Sequence, residues 1–172
     1  MENQSPEINE VLDLIAESIT QLDNLMNSID ENKINTIPYE GSWTAPQVMT
    51  HVKKSINLMA KAMQKEAKPA ERNPGERIEE LKRVFLDFTK KFQSPESIIP
   101  EVVIYERQLT IDKLNEAFNH FKENVKTANL NELVDSLSLG PITKLEIIHF
   151  TLFHTKRHLH QLEKICEALK NK

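Results

Sequence analysis

Residues 143–170, TKLEIIHFTLFHTKRHLHQLEKICEALK, carry the pattern that decides the fold. The stretch opens with Thr143-Lys144-Leu145-Glu146, a capping box in which Thr143 is the N-cap and Glu146 the third helical residue. Apolar residues then recur at intervals of three and four, which predicts one long helix to about Lys170. This predicted helix also contains four of the six histidines of the chain: His149, His154, His158 and His160.

Helical periodicity extends over nearly all of the remaining sequence. Ser5-Pro6 is typical of a helix start, and Thr44-Ala45-Pro46-Gln47 is a second capping box. Thr110 is the predicted N-cap of a further helix. The helices predicted before residue 143 cover about 6–29, 44–67, 76–92 and 110–125, with 94–107 as an extended connector. We therefore predict an all-α fold, a bundle of four long helices with an additional shorter helix.

Composition narrows the class of protein. The length of 172 residues predicts a single domain, residues 1–172, and only 3 glycines argue against a fold rich in tight turns. The net charge of −4 gives no electrostatic footprint for nucleic acid, and no apolar run approaches ~18 residues, so no membrane span is expected. Cys166, the only cysteine, excludes an internal disulfide and is expected to be inert packing. No signal peptide is visible at Met1 to Glu7, and a cytoplasmic location is expected.

The four histidines of the last helix fall on two opposite sides. At ~100° per residue, His154 and His158 lie within the apolar stripe, whereas His149 and His160 lie across from it. His120, on the preceding helix, is predicted to face solvent. Two imidazoles at positions i and i+4 are spaced so that both can bind one metal ion. The alternative is a pair of core histidines bonded to carbonyl groups or water.

A third histidine could complete the group. His51 lies at the edge of the apolar stripe of the second helix, from which it can reach the interior of a bundle, where metal sites on facing helices are built. The alternative for His51 alone is an ordinary boundary histidine.

Two motifs resemble those of the DinB-like family. Trp43-Thr44-Ala45-Pro46-Gln47-Val48-Met49-Thr50-His51 is similar to the family's Trp-Ser/Thr-x-x-Glu/Gln-Val/Leu-x-x-His signature. Gly140-Pro141-Ile142-Thr143 followed by His154-x-x-x-His158-x-x-Gln161 is similar to its C-terminal motif, and residues 74–107 match the family core least. The resemblance implies a four-helix bundle with a three-histidine metal site, carried here by His51, His154 and His158.

The resemblance also implies candidate activities. Relatives include metal-dependent thiol transferases that use bacillithiol, mycothiol or glutathione, and the YfiT-type metal hydrolases are similar too. Three neutral histidines leave a position open on a divalent ion, with zinc or nickel favoured and iron or manganese as alternatives. Hydrolysis usually needs a nearby carboxylate, but Thr155, Lys156 and Arg157 stand between the two histidines of the last helix, which favours thiol S-transferase-like chemistry.

Several expectations follow for ligands and partners. The predicted partner is a small-molecule thiol or electrophile, without nucleic acid or membrane. Gln161 is expected either to orient a ligand or bound water or to be a polar residue at the edge of the apolar stripe. The rival hypothesis is a non-catalytic metal-binding or small-molecule-binding stress protein, with a homodimer through exposed helix faces as a further expectation.

Overall fold

Four long helices and one short helix make up most of the protein in a computed structural model that describes residues 5–136 and 138–171. The helices are α1 (Pro6–Ser28), α2 (Ala45–Gln64), α3 (Ile78–Phe85), α4 (Arg107–Thr127) and α5 (Lys144–Lys170). The predicted bundle with one shorter helix is confirmed. Met1 to Gln4, within the segment used to assess a signal peptide, lie outside the described residues, as do positions 137 and 172. The single-domain assignment of residues 1–172 stays a prediction.

The four long helices close a ring in the order α1, α5, α2, α4. Helix α1 packs against α4 and α5, and α2 packs against the same two helices, so α1 and α2 lie diagonally across the bundle although they are consecutive in the chain. Short α3 packs on the outside of α5. Each long helix directs an apolar face inward, and the large side chains excluded from solvent include Ile15, Leu22, Met49, Leu114, Phe121 and Ile147.

Local caps fix the starts of three helices where the sequence predicted them. The hydroxyl of Ser5 accepts a hydrogen bond from the Ile8 amide at 3.3 Å, and that of Thr143 accepts from the Glu146 amide at 3.1 Å. At the start of α2, the Thr44 amide donates to Oε1 of Gln47 at 2.9 Å. These bonds satisfy amides that have no partner within the helix, so each start is encoded within four residues.

Two predicted helix ends are wrong. Helix α4 begins at Arg107, and the Thr110 hydroxyl donates to the Glu106 carbonyl at 2.7 Å within the first turn instead of capping the helix. Helix α3 ends at Phe85, and the Arg157 guanidinium of α5 donates to the carbonyls of Phe85 and Asp87 at 3.2 and 3.0 Å, which satisfies groups that have no partner beyond the helix end. Residues 86–106 form a connector with a turn at Phe88 and Thr89 and a 3₁₀ turn at Glu96–Ile98, so the extended connector predicted over 94–107 is interrupted by that 3₁₀ turn and ends at the start of α4.

A small antiparallel sheet was not predicted. Strands β1 (Lys68–Pro69), β2 (Glu132–Ser136) and β3 (Gly140–Thr143) pair in that order, with Val134 opposite Ile142. The strands have two to five residues, too few for a period-two pattern to stand out in the sequence. The sheet is minor in the fold, but β3 leads directly into α5 through Thr143. Within the described residues, no helix is both long and apolar enough to cross a membrane.

Candidate metal centre

Helices α2 and α5 bring three imidazoles together in the interior of the bundle. His51 lies in the second turn of α2, and His154 and His158 lie on successive turns of α5; their exposed fractions are 1%, 7% and 8%. Nε2 of His154 is 3.3 Å from Nε2 of His51 and 3.2 Å from Nε2 of His158. The structure therefore joins all three of the histidines singled out in the sequence.

Two neighbouring carbonyl oxygens fix where the imidazole protons lie. Nδ1 of His51 is 2.9 Å from the Ile98 carbonyl oxygen, and Nδ1 of His158 is 2.8 Å from Oε1 of Gln161. These oxygens only accept hydrogen bonds, so both Nδ1 atoms carry the proton and both Nε2 atoms of the neutral rings present a lone pair. Nε2 of His154 faces the Nε2 lone pairs of His51 and His158, and it can itself carry at most one proton. At least one of the two contacts thus joins two lone pairs, an arrangement that a cation would relieve.

Burial keeps these imidazoles neutral. It lowers the pKa of His158 to about 3, with a smaller contribution from His51, and holds the pKa of His154 well below the ordinary value. The pKa of His51 is also lowered, chiefly by burial and against the hydrogen bond to Ile98. Neutral imidazole is the form that binds metal ions, so no proton has to be displaced at neutral pH.

The donor set fits a divalent ion. With Zn–N bonds of about 2.0–2.1 Å, two ligands of a tetrahedral zinc site stand about 3.3 Å apart, close to the Nε2 separations observed here. Among the described residues, the group of potential ligand atoms contains these three histidines and no carboxylate or thiol. The cluster could therefore hold an ion through three neutral nitrogens and leave a coordination position for another molecule.

A family model describes most of the chain. The model of the DinB superfamily matches residues 6–162, which include both histidine motifs. The chain belongs to the DinB superfamily. No curated protein matches the chain significantly.

Solved structures share this DinB fold at low sequence identity. TT2238, described as a four-helix bundle protein, is 18% identical, with a TM-score of 0.61 over 91% of this chain and 98% of its own. A conserved protein from Enterococcus faecalis is 16% identical, with a TM-score of 0.67 over 100% of this chain and 99% of its own. YfiT from Bacillus subtilis, described as a probable metal-dependent hydrolase with an unusual four-helix bundle topology, is 12% identical, with a TM-score of 0.62 over 97% of this chain and 90% of its own.

Aromatic rings surround the histidine cluster of this DinB protein. The Trp43 ring lies 5.0 Å from that of His51, and on the other side the Phe150 and Phe85 rings lie 5.2 and 6.3 Å from that of His154. These rings exclude water and lower the local dielectric constant, which strengthens any electrostatic interaction inside the site. Sequence reasoning did not assign them to the site, although Trp43 lies in the motif that ends at His51.

Gln161 is half-buried and contacts a histidine of the cluster. Its Oε1 accepts a hydrogen bond from Nδ1 of His158, one turn away on α5, at 2.8 Å. The equivalent partner of His51 is the backbone carbonyl of Ile98, in the connector. No side-chain signal in the sequence could have pointed to this carbonyl.

The other histidines are only partly as predicted. His120 is exposed, as expected, but His149 and His160 are half-buried instead of facing solvent. The His160 ring stacks on Phe88 at 4.2 Å, and burial lowers the pKa of His149. The prediction failed because α3 and the segment after it cover that side of α5. Cys166 is buried and its pKa is raised by burial, consistent with inert packing.

Proposed function

We propose that this DinB-superfamily protein is a metal-dependent enzyme with thiol S-transferase-like activity at a divalent ion held by His51, His154 and His158. The observation that carries the proposal is the convergence of three Nε2 atoms in a buried cluster to which the described part of the chain contributes no carboxylate. When bound, the ion would supply a lowered pKa for a thiol in the open position. His51, His154 and His158 would hold the ion, and the net reaction would join the thiol sulfur to the electrophilic carbon with release of the leaving group and of the thiol proton.

The protein's own side chains contribute orientation and a dry environment. Gln161 and the Ile98 carbonyl keep the two Nδ1 protons in place and so direct Nε2 of His158 and His51 inward. Trp43, Phe85 and Phe150 offer an apolar surface beside the cluster, suited to the carbon skeleton of an electrophile.

Zinc and nickel are the ions that we favour. Three imidazole nitrogens suit zinc, nickel and iron, whereas manganese prefers oxygen ligands such as carboxylates, and the described residues of the cluster include no carboxylate. Iron and manganese remain as alternatives because the ion bound also depends on which metals are available.

A metal-dependent hydrolase is the second candidate. It is supported by the shared fold with YfiT, which is described as a probable metal-dependent hydrolase. Hydrolysis also needs a group that accepts a proton from water, usually a carboxylate. The lack of a carboxylate among the described members of the cluster favours the thiol reaction over this alternative.

The remaining parts of the proposal concern partners and location. The net charge of −4 supports a small-molecule thiol or electrophile as partner over nucleic acid. A cytoplasmic location, the lack of a membrane partner and a homodimer are retained as parts of the proposal.

A non-catalytic metal-binding or small-molecule-binding stress protein is the third candidate, since the three imidazoles are hardly accessible from solvent.

Metal analysis is the first test. Protein purified without a histidine tag should contain one divalent ion per chain, and His154→Ala should remove it, whereas His120→Ala, at an exposed histidine, should retain it. The site would be rejected if the wild type contained no metal, or if His154→Ala retained its metal as His120→Ala does.

A thiol assay then separates enzyme from binding protein. Metal-loaded protein is incubated with bacillithiol, mycothiol or glutathione and the electrophile monochlorobimane, and conjugation is followed by fluorescence. A rate above that of metal-free protein with one of these thiols supports the transferase. Stoichiometric metal without any such rate would favour the hydrolase or the binding protein.

A further inference from the structure

Residues 98–105 form a segment of the connector, here called the strap, that lies along one face of α2. Gln47, His51 and Lys54 are four and three residues apart on that helix and so lie on the same face. Each donates a hydrogen bond to a strap carbonyl: Gln47 to Glu101 at 3.2 Å, His51 to Ile98 at 2.9 Å and Lys54 to Ile99 at 2.7 Å. The Ile98 carbonyl, which fixes the His51 proton, is thus one of three strap carbonyls that accept hydrogen bonds from side chains of α2.

Lys54 makes the strongest of these attachments. Its Nζ donates both to the Ile99 carbonyl and, at 2.5 Å, to Oε1 of Glu101. The hydrogen bond from Lys54 lowers the pKa of the Glu101 carboxyl, which keeps the pair charged. Because the Ile99 carbonyl belongs to the residue directly after Ile98, Lys54 fixes the part of the strap next to the carbonyl that binds His51.

The outer side of the strap contributes little to holding it. The side chains of Val102 and Ile104 are 94% and 86% exposed, so apolar burial does not hold the middle of the strap. Its two ends are attached separately: Ile98 is buried, and Asn35 exchanges two hydrogen bonds of 2.9 Å with the backbone of Tyr105. Between these ends, the polar side chains of α2 set the position of the strap.

We infer that Lys54 is a positioning residue for the candidate metal centre: it holds the strap so that the Ile98 carbonyl keeps the proton of His51 on Nδ1. With Lys54 in place, the lone pair on Nε2 of His51 points at His154 and His158. Without it, the Ile99 carbonyl loses its partner, the hydrogen bond from His51 to the adjoining Ile98 carbonyl weakens, and the proton of His51 can shift to Nε2, where it blocks metal binding. The effect on metal affinity rests on the proposed function, whereas the effect on the His51 proton does not.

The test compares Lys54→Met with Lys54→Arg and Lys61→Met. Arginine restores a cationic donor, and Lys61 lies two turns further along α2 at an exposed position, which makes it a matched control. In metal-free protein, long-range proton–nitrogen NMR reports which ring nitrogen of His51 carries the proton. Competition with a chromophoric chelator measures the affinity for Zn²⁺ alone.

We expect Lys54→Met to move part of the His51 population to the Nε2–H tautomer and to weaken zinc binding by about tenfold. Lys54→Arg and Lys61→Met should keep the wild-type tautomer and affinity. Glu101→Ala, which removes the side-chain acceptor at position 101 but leaves the bond from Lys54 to the Ile99 carbonyl, should change both readouts in the same direction as Lys54→Met but by less, and replaces it if that variant does not fold.

Each alternative outcome has a definite meaning. Wild-type tautomer in Lys54→Met overturns the inference, whatever happens to zinc affinity, because the route through the Ile98 carbonyl is then absent. A shifted tautomer with unchanged zinc affinity also overturns it. If the wild type binds neither Zn²⁺ nor Ni²⁺ in the chelator competition, the proposed function fails, while the tautomer comparison still shows whether Lys54 positions His51.

Discussion

Oε1 of Gln161 lies 2.8 Å from Nδ1 of His158, one turn along α5, and so holds the imidazole proton away from the histidine cluster. Substitutions at Gln161 can therefore test whether its side chain orients His158 as a metal ligand or only packs against it. The two partners lie on the same helix, so a change at position 161 need not disturb the contacts between helices.

Gln161→Leu should weaken zinc binding by about 10- to 100-fold, because the leucine side chain cannot accept the Nδ1 proton of His158. Gln161→Glu keeps an acceptor at this place and should retain most of the affinity. Chelator competition with both variants makes the comparison. Equal affinities in wild type and Gln161→Leu would show that Gln161 does not orient His158.

Removal of the metal should lower thermal stability. An ion present at 100 times its Kd stabilises the folded state by about 2.7 kcal/mol. For a chain of this size the corresponding loss in Tm on adding a chelator is roughly 5–10 °C. His154→Ala should melt at the same temperature with and without chelator, and His120→Ala should respond as the wild type does. A chelator effect that persists in His154→Ala would place the metal elsewhere.

The fluorescence of Trp43 should report metal binding. Trp43 is the only tryptophan of the chain, and its ring lies 5.0 Å from that of His51. Ni²⁺ and Cu²⁺ quench indole emission at contact distance, whereas Zn²⁺ does not. Titration with Ni²⁺ should therefore quench emission to saturation at one equivalent, and excess Zn²⁺ should restore it. Quenching that survives in His51→Ala would contradict the assignment.

The ion pair between Arg72 and Glu146 should dominate the acid sensitivity of the fold. The Glu146 side chain is fully buried, and two guanidinium nitrogens of Arg72 donate to it at 2.6 and 2.7 Å. Burial alone raises the pKa of Glu146, but hydrogen bonds from Arg72, Thr143 and Arg77 together hold it below the usual value. The stabilisation from the charged carboxylate is therefore present above its unfolded pKa of about 4.3 and is lost as the pH falls through the folded pKa.

Arg72→Met leaves the Glu146 carboxylate buried without its cation and should cost about 3 kcal/mol in the free energy of unfolding at pH 7. The deficit should shrink towards pH 4, where Glu146 of the variant becomes protonated. Urea unfolding at the two pH values measures this difference, with Arg83→Met at an exposed position of α3 as control. A deficit that does not change with pH would assign the loss to packing.

Features of the fold were predictable from the sequence where the interacting residues are close together along the chain. The starts of α1, α2 and α5 were predictable because each cap joins residues three positions apart. The end of α3 was not, because the partner of its terminal carbonyl is Arg157, 72 residues away from Phe85. Likewise, no periodicity within α5 could show that α3 covers His149 and His160.

The candidate site divides in the same way. The spacing of His154 and His158 indicated a pair on one face of a helix, and the resemblance of the motif ending at His51 added the third member. The Ile98 carbonyl and the ring of Phe85 come from residues 74–107, which match the family least. Their place at the site depends on the path of a connector without a repeating pattern, so only the structure could show it.

Thr143 belongs to two elements, since it ends β3 and caps α5. The pairing of Leu133 with Thr143 thus fixes the rotation of α5 about its axis. One residue inserted between Thr143 and His154 would turn both α5 histidines by about 100° relative to the sheet. A change in the length of the link between β2 and β3 would leave this rotation unchanged, whereas the eleven residues from Thr143 to His154 set the direction in which the α5 histidines point.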